Sequence, residues 1–220
     1  MKIKKFKAVL FDMDGIIVDT MPYHFISWFE VLKHYGVRVS PMTVFEMEGA
    51  KWAAVIELAY RQSGKKLYAG AADKIRFERE KIFKKYFSRY IFNGMPKLLK
   101  LLKRQGVLIG IVSGSSLKEA KRFLPKNLYG LFDVIVPGDM IKRSKPYPDP
   151  YLAASKKLGV TPKECLVIEN APYGIESAKA ANMNCIAVAT SLAKDKLSQA
   201  DRVFNTHKEL YEYFGKILKK

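Results

Sequence analysis

The chain is short of acid. Its 220 residues carry 39 Lys plus Arg against 21 Asp plus Glu, a formal net charge of +18. Such a surplus favours polyanionic or phosphorylated partners through the field it creates, but it names none of them. The lysines are scattered in short groups such as Lys65-Lys66, Lys84-Lys85 and Lys156-Lys157. A nucleic-acid footprint would gather them into an arginine-rich stripe with interleaved aromatics, so the scatter reads as a solvated surface. Cysteine is nearly missing as well. The two present, Cys165 and Cys185, each open an apolar run and lack any Cys-x-x-Cys or Cys/His pattern. That excludes a disulfide framework and a structural zinc site, and leaves two small buried hydrophobes in a reducing compartment. Long apolar runs are also lacking. The stretch after the basic Met1 to Lys7 ends within a few residues at Asp12, too short for a secretory core and far too short to span a bilayer. The expectation is a cytoplasmic protein with no membrane partner. Internal repeats and low-complexity segments are missing, which removes solenoids and disordered tails.

What is present is ample apolar material, 49% of the residues, enough for one large domain or one domain carrying an insert. Short apolar runs recur at Ala8 to Phe11, Leu108 to Val112, Asp133 to Val136, Leu166 to Ile168, Ile186 to Ala189 and Val203-Phe204. Between the later runs lie segments of helical length: Met95 to Arg104, Leu117 to Leu124, Asp149 to Leu158, Tyr173 to Ala181 and Lys208 to Leu218. The alternation predicts an α/β fold with a doubly wound parallel sheet. Gly106, Gly159 and Asn182 stand where C-caps belong. The spacing breaks once. About ninety residues separate the first strand from the Leu108 run, far more than one crossover helix requires. The excess is assigned to an inserted helical subdomain, residues 21–90, with helices near Tyr23 to His34, Met42 to Gln62 and Ala71 to Phe87. The core is then residues 1–20 and 91–220.

The strands end in polar residues. The first ends in Asp12-Met13-Asp14-Gly15-Ile16-Ile17-Val18-Asp19, a pattern expected by chance in only about a few chains per thousand. The Leu108 run ends at Ser113-Gly114-Ser115-Ser116, and the Leu166 run at Glu169-Asn170. Ligands of open parallel sheets bind beyond the carboxyl ends of strands, so these clusters can converge. Lys145, on the proline-stiffened segment Ser144-Lys145-Pro146-Tyr147-Pro148-Asp149-Pro150, is a fourth candidate. The set suits phosphoryl transfer. A carboxylate attacking a phosphomonoester meets charge repulsion, which a divalent cation relieves, and hard oxygen ligands such as Asp12, Glu169 and a carbonyl near Asp14 suit magnesium. Asp12 is the candidate nucleophile, and Asp14 the candidate acid and base. Ser113, the Gly114 backbone N–H and Lys145 would hold the transferring oxygens, and Gly15 lets the chain turn beside them.

Asp12-x-Asp14-Gly15-x-x-x-Asp19, Ser113, Lys145-Pro146 and Glu169-Asn170 together resemble the motif set of the haloacid dehalogenase superfamily. The resemblance covers nearly the whole chain, and the insert's position is similar to that of the helical-cap subclass. Asp19-Thr20-x-x-Tyr23-His24-Phe25-x-x-Trp28 resembles the β-phosphoglucomutase-like branch. The resemblance implies a magnesium-dependent phosphatase or phosphomutase with a Rossmann-like core. Asp12 would be its nucleophile, Asp14 its acid/base, Ser113 and Lys145 its phosphate ligands, and Asp12, Asp14, Glu169 and Asn170 its metal site. An Asp at the second motif position also separates phosphohydrolase-like members from dehalogenases. The chain departs once: many relatives carry an acid where it has Asn170.

His24 is read as a substrate-positioning or hinge residue, or else as a buried helix histidine. His34 and His207 are read as surface or capping residues. Lys51 falls where this branch carries its specificity loop, and is either a substrate contact or a solvated lysine. Phe25, Trp28, Phe29 and Leu32 recur at helical spacing and read as cap core; Gly110 reads as close backbone packing. Asp19 is expected to brace the loop through hydrogen bonds. The leading function is hydrolysis of a small phosphorylated metabolite, such as a sugar phosphate. A mutase is the alternative, disfavoured because Lys51 has no arginine beside it to clamp a second phosphate. A basic nucleic-acid-binding module is the outside reading, and a monomer and a small homo-oligomer both remain open.

Overall fold

A computed structural model describes residues 6–218 of the chain. Its strands are β1 (Ala8–Phe11), β2 (Leu108–Val112), β3 (Val134–Val136), β4 (Cys165–Glu169), β5 (Asn184–Val188) and β6 (Arg202–Phe204). They form one parallel sheet in the order β3-β2-β1-β4-β5-β6. The order reverses at β1, where a doubly wound sheet opens its ligand crevice.

The helices of the core are α5 (Met95–Arg104), α6 (Leu117–Phe123), α7 (Lys126–Tyr129), α8 (Asp149–Leu158), α9 (Pro172–Ala180) and α10 (His207–Ile217). Alternation along β1 divides them between two faces, since successive side chains of a strand point to opposite sides. Val9 and Phe11 bury against Leu98, Leu99 and Leu102 of α5 and Leu210 and Phe214 of α10. Ala8 and Leu10 bury against Tyr151 and Ala154 of α8 and Ile175 and Ala178 of α9. Both cysteines sit free and buried on this second face. Gly110 behaves as expected: a Cβ there would meet Val134 Cγ1 at 2.7 Å and Leu10 Cδ2 at 2.9 Å. Gly106, Gly159 and Asn182 all adopt positive φ at or beside helix ends.

Four further helices, α1 (Met21–His34), α2 (Pro41–Glu46), α3 (Trp52–Gln62) and α4 (Ala71–Tyr86), share a separate apolar core of Trp28, Val31, Leu32, Val55, Ile56 and Ile75. The expected helix over 42–62 is instead two helices. Ser40 caps α2 by accepting from the Thr43 N–H, and the chain leaves helical geometry at Gly49, φ +82°, before α3 restarts. Phe29, grouped with the core by periodicity, is 43% exposed at the edge of the apolar stripe. The two connections to the sheet run side by side, with Asp19 N–H donating to Tyr90 O at 2.9 Å and Phe92 N–H to Ile17 O at 3.1 Å. It is thus the Asp19 backbone that braces this loop. An aromatic seam continues from them, with Phe83 and Phe87 of the α4 end stacked on each other and tilted onto Phe123 at 5.3 and 4.6 Å. No helix of the described residues is long and apolar enough to cross a membrane.

Candidate active site

Register brings the first carboxylates together. Phe11 pairs with Ile168, and Asp12 N–H donates to Ile168 O at 2.9 Å, so Asp12 and Glu169 leave adjacent strands level with each other. Both are fully buried. Unpaired carboxylates there would be costly, and Lys145 supplies the partner. Its ammonium, 2% exposed, donates to Asp12 Oδ1 at 2.5 Å, Glu169 Oε1 at 2.6 Å and Val112 O at 3.3 Å. Burial alone would strip its proton, but the charges of Asp12 and Glu169 outweigh that and push the pKa up. Asp12 is pushed well above the usual carboxylate range, by burial first and then by Glu169 and Asp14, against the pull of Lys145.

Glu169 is saturated. Besides Lys145, its Oε1 accepts from the Tyr151 hydroxyl at 2.8 Å, and its Oε2 from the backbone N–H groups of Asn170 at 2.8 Å and Ala171 at 3.3 Å. Gly174 lies against this carboxylate so closely that a Cβ would overlap it.

Asp14 stands beyond the turn and is also fully buried. It is held by Thr20 Oγ1 at 2.7 Å, Ser113 Oγ at 2.9 Å, Ser115 Oγ at 3.1 Å and His24 Nε2 at 3.3 Å. Burial raises its pKa, but its interaction with His24 and the hydrogen bonds from Thr20 and Ser113 prevail and hold it below the ordinary value. His24 is itself fixed through Nδ1 by Arg79, whose Nε donates to Ser27 Oγ at 3.1 Å and whose guanidinium lies over Trp28 and Phe83 at 4.9 and 5.2 Å. His207, expected as a surface or capping residue, opens α10 but is buried: its Nε2 bonds Ile16 O at 2.8 Å, and its ring stacks on Phe92 at 4.0 Å. His34 is exposed as expected.

No group of three or more His, Cys, Asp or Glu side chains among the described residues has the arrangement of a ready metal cage. The donor set is finer than that. Three buried side-chain oxygens among the described residues lack any hydrogen-bond partner: Asp12 Oδ2 and Asn170 Oδ1, just past β1 and β4, and Asp149 Oδ2 at the start of α8, whose other oxygen accepts from Arg143 Nε. Gly15, at φ +84°, closes the turn beside the first two, and a Cβ there would run into the Asn170 amide. Unpartnered hard oxygens just past the neighbouring strands β1 and β4 fit a magnesium ion, since an orphaned buried acceptor is otherwise expensive. Glu169, as a ligand, would have to share Oε1 with Lys145 and Tyr151.

The helical insert closes over these groups. Gly49 presses on the stem of Lys145, where a Cβ would overlap Cδ, and a Cβ on Gly114 would meet Gly49 Cα at 3.0 Å. A cavity of about 490 Å³ remains, lined by His24, Glu48, Lys51, Arg79, Gly114 and Ser115 among others. Glu48 faces inward, and burial together with Asp14 and Asp12 pushes its pKa well above the usual range. Gly114 N–H has no partner among the described residues, leaving it free for an anion. The structure thus gathers Asp12, Asp14, Gly15, Ser113, Gly114, Lys145, Glu169, Asn170 and His24, with Lys51 at the rim. Thr20 and Ser115 stood in the motif segments without an assigned role, and nothing in the sequence pointed to Tyr151, Glu48 or Arg79. Tyr151 lies six positions past Lys145 on the inward face of α8, a signal available in principle; Arg79, one of several charges on α4, gave none.

The family model for haloacid dehalogenase-like hydrolases matches residues 9–188, and the chain belongs to that family. It is 32% identical over 193 residues to the fructose-1-phosphate phosphatase YqaB of Escherichia coli K12, covering 84% of this chain and 97% of that one. It is 30% identical over 193 residues to the beta-phosphoglucomutase of Bacillus subtilis, covering 83% of each. The structure superposes on beta-phosphoglucomutase from Clostridium difficile with a TM-score of 0.83, 26% identity and 97% coverage of both chains. The chain is an enzyme of the haloacid dehalogenase type, whose relatives are phosphatases and phosphomutases.

Proposed function

We propose that this protein is a magnesium-dependent phosphohydrolase that cleaves a small phosphomonoester through a phosphoryl group carried on Asp12. The observation that carries the reading is the unequal treatment of the two motif carboxylates. Lys145 orients Asp12 Oδ1, the oxygen that would attack, while Oδ2 is left free for a cation. Asp14 is surrounded by hydroxyl donors and His24, which suits proton traffic to the leaving oxygen and from an incoming water. Lys145 and the Gly114 N–H supply donors where negative charge develops. Asp12 Oδ2, Asn170 Oδ1 and the Asp14 carbonyl would hold the magnesium, with Glu169 anchoring Lys145 beside them. When bound, the ion neutralises the repulsion between carboxylate and phosphate. Residues 21–90 act as a cap, closing Gly49 against Lys145 and Gly114 to exclude bulk water.

A phosphomutase is favoured by one observation: Arg76 and Arg79, distant in sequence, both line the cavity with Lys51. Lys51, with no arginine beside it in its loop, thus shares the cavity with two arginines of α4. Arg79 is, however, half-buried and committed to His24 and Ser27, and Arg76, 45% exposed, stands in longer ion pairs with Glu80 at 3.5 Å and Asp73 at 4.0 Å. Hydrolysis therefore remains the better reading. The test is to supply magnesium and a panel of phosphomonoesters, including β-glucose 1-phosphate with a bisphosphate primer, and to measure free phosphate and isomerised product. Free phosphate that disappears in Asp12→Asn supports hydrolysis. Isomerised product without phosphate release would overturn it in favour of the mutase.

A further inference from the structure

We propose that Tyr151 is a positioning residue for phosphoryl transfer: its hydroxyl restrains Glu169, so that Lys145 stays aimed at Asp12 Oδ1 instead of being drawn over to Glu169. The inference rests on the phosphohydrolase reading and deepens it.

Packing alone does not call for a tyrosine at this place. The ring is fully buried in the apolar layer that Leu10, Ala154, Val167 and Ile175 form on one face of the sheet. A phenylalanine would fill that space equally well, and a phenol left without a partner there would be costly. The hydroxyl instead donates to Glu169 Oε1 at 2.8 Å, its one hydrogen bond among the described residues. The ring also carries Lys145 Nζ over it, 5.3 Å from the centroid. A single side chain thus touches both members of the Lys145–Glu169 pair. It stands behind the site and does not line the cavity, so any effect on a substrate passes through that pair.

Lys145 has three N–H donors, and all are used, on Asp12 Oδ1 at 2.5 Å, Glu169 Oε1 at 2.6 Å and Val112 O at 3.3 Å. Two carboxylates therefore compete for one ammonium. With no other donor on its Oε1, Glu169 would draw that ammonium more strongly, because a buried carboxylate oxygen leans on whatever donor remains. Tyr151 supplies the second donor, while the Asn170 and Ala171 N–H groups satisfy Oε2. The ammonium then stays between the two acids, where it can neutralise Asp12 and the phosphoryl oxygens that approach it. The chain from Lys145 to Tyr151 is stiff enough to hold this geometry. Pro146, Pro148 and Pro150 lie along it, and Ser177 Oγ ties it to α9 by donating to Tyr147 O at 2.6 Å.

The test measures kcat and KM for sorbitol 6-phosphate and phenyl phosphate, with magnesium, in wild type, Tyr151→Phe, Glu169→Gln and the double variant, together with the Tm of each. Tyr151→Phe keeps the ring and loses only the hydroxyl. It should lower kcat about tenfold, the scale of a hydrogen bond to a charged group, by the same factor on both substrates and with KM within about twofold of wild type. In Glu169→Gln the same change should lower kcat by less than about twofold, because the amide carries no charge to compete for Lys145. Wild-type kcat in Tyr151→Phe, whatever its Tm, would reduce the hydroxyl to a stabilising contact and overturn the proposal. So would a loss confined to one substrate or to KM, or a loss that multiplies in full in the double variant. Phosphate release from neither substrate by the wild type would instead contradict the phosphohydrolase reading itself, and this proposal with it.

Discussion

Single residues here are set by what fills their remaining valences. Asn170 brings an amide oxygen but no charge to the place where Asp12 Oδ2 is left unpartnered. Adding the charge should tighten the site, so Asn170→Asp is expected to bind magnesium several-fold more tightly by calorimetry without substrate; equal or weaker binding would contradict the ligand set. Gly174 is a second case. Because a Cβ there overlaps the Glu169 carboxylate, Gly174→Ala should displace Glu169 from Lys145 and Tyr151. A loss of at least about tenfold in kcat and a lowered Tm are expected, since disturbing a buried charge network costs several kcal/mol. Wild-type turnover in that variant would mean that the Lys145–Glu169 pair is idle. Asp12, Asp14, Lys145 and Glu169 were legible because carboxylates and lysine at strand ends and on a stiff loop have little other reason to be there. Tyr151 and Arg79 were not legible, since an aromatic on an amphipathic helix and a charge on a charged helix both have ordinary explanations.

At the level of elements, runs of apolar residues bounded by glycines revealed the sheet and its helices, down to the caps at Gly106 and Gly159. What periodicity concealed was the break at Met47 to Lys51. Apolar residues continue through it at helical spacing, and only the positive φ demanded of Gly49 interrupts the helix. That short segment carries the inner wall of the cavity. The start of α10 was misread for a related reason: a histidine at a helix N-terminus is ordinarily solvated, whereas His207 reaches back to Ile16 O and Phe92 and clamps both connections of the helical insert. Burial, opposed by the bond to Ile16, lowers its pKa from the ordinary 6.5 to about 4. The folded protein therefore holds fewer protons than the unfolded chain between those values. The contribution is intact above about pH 6.5 and is lost as the pH falls towards about 4. Over that window the wild type should lose Tm more steeply than His207→Gln. Parallel profiles would show that His207 is solvated.

For the molecule as a whole, the proposed substrate is a phosphorylated anion and the chain carries a formal charge of +18. A field of that sign should speed encounter, so kcat/KM for a phosphomonoester should fall as salt screens it while kcat stays constant. Salt-independent kcat/KM would mean that the surplus lysines do not steer substrate. The fold and the family were legible throughout because the motifs sit at the ends of consecutive strands in a doubly wound order; the substrate was not, because it depends on how the helical insert closes. The central claim is that Asp12 carries the phosphoryl group. Its most direct test is rapid acid quench of the enzyme during turnover of sorbitol 6-phosphate with magnesium, followed by peptide mass analysis. The account predicts a phosphoryl adduct on Asp12 that is missing in Asp12→Asn. Phosphate release with no adduct on Asp12, or an adduct on another residue, would contradict it.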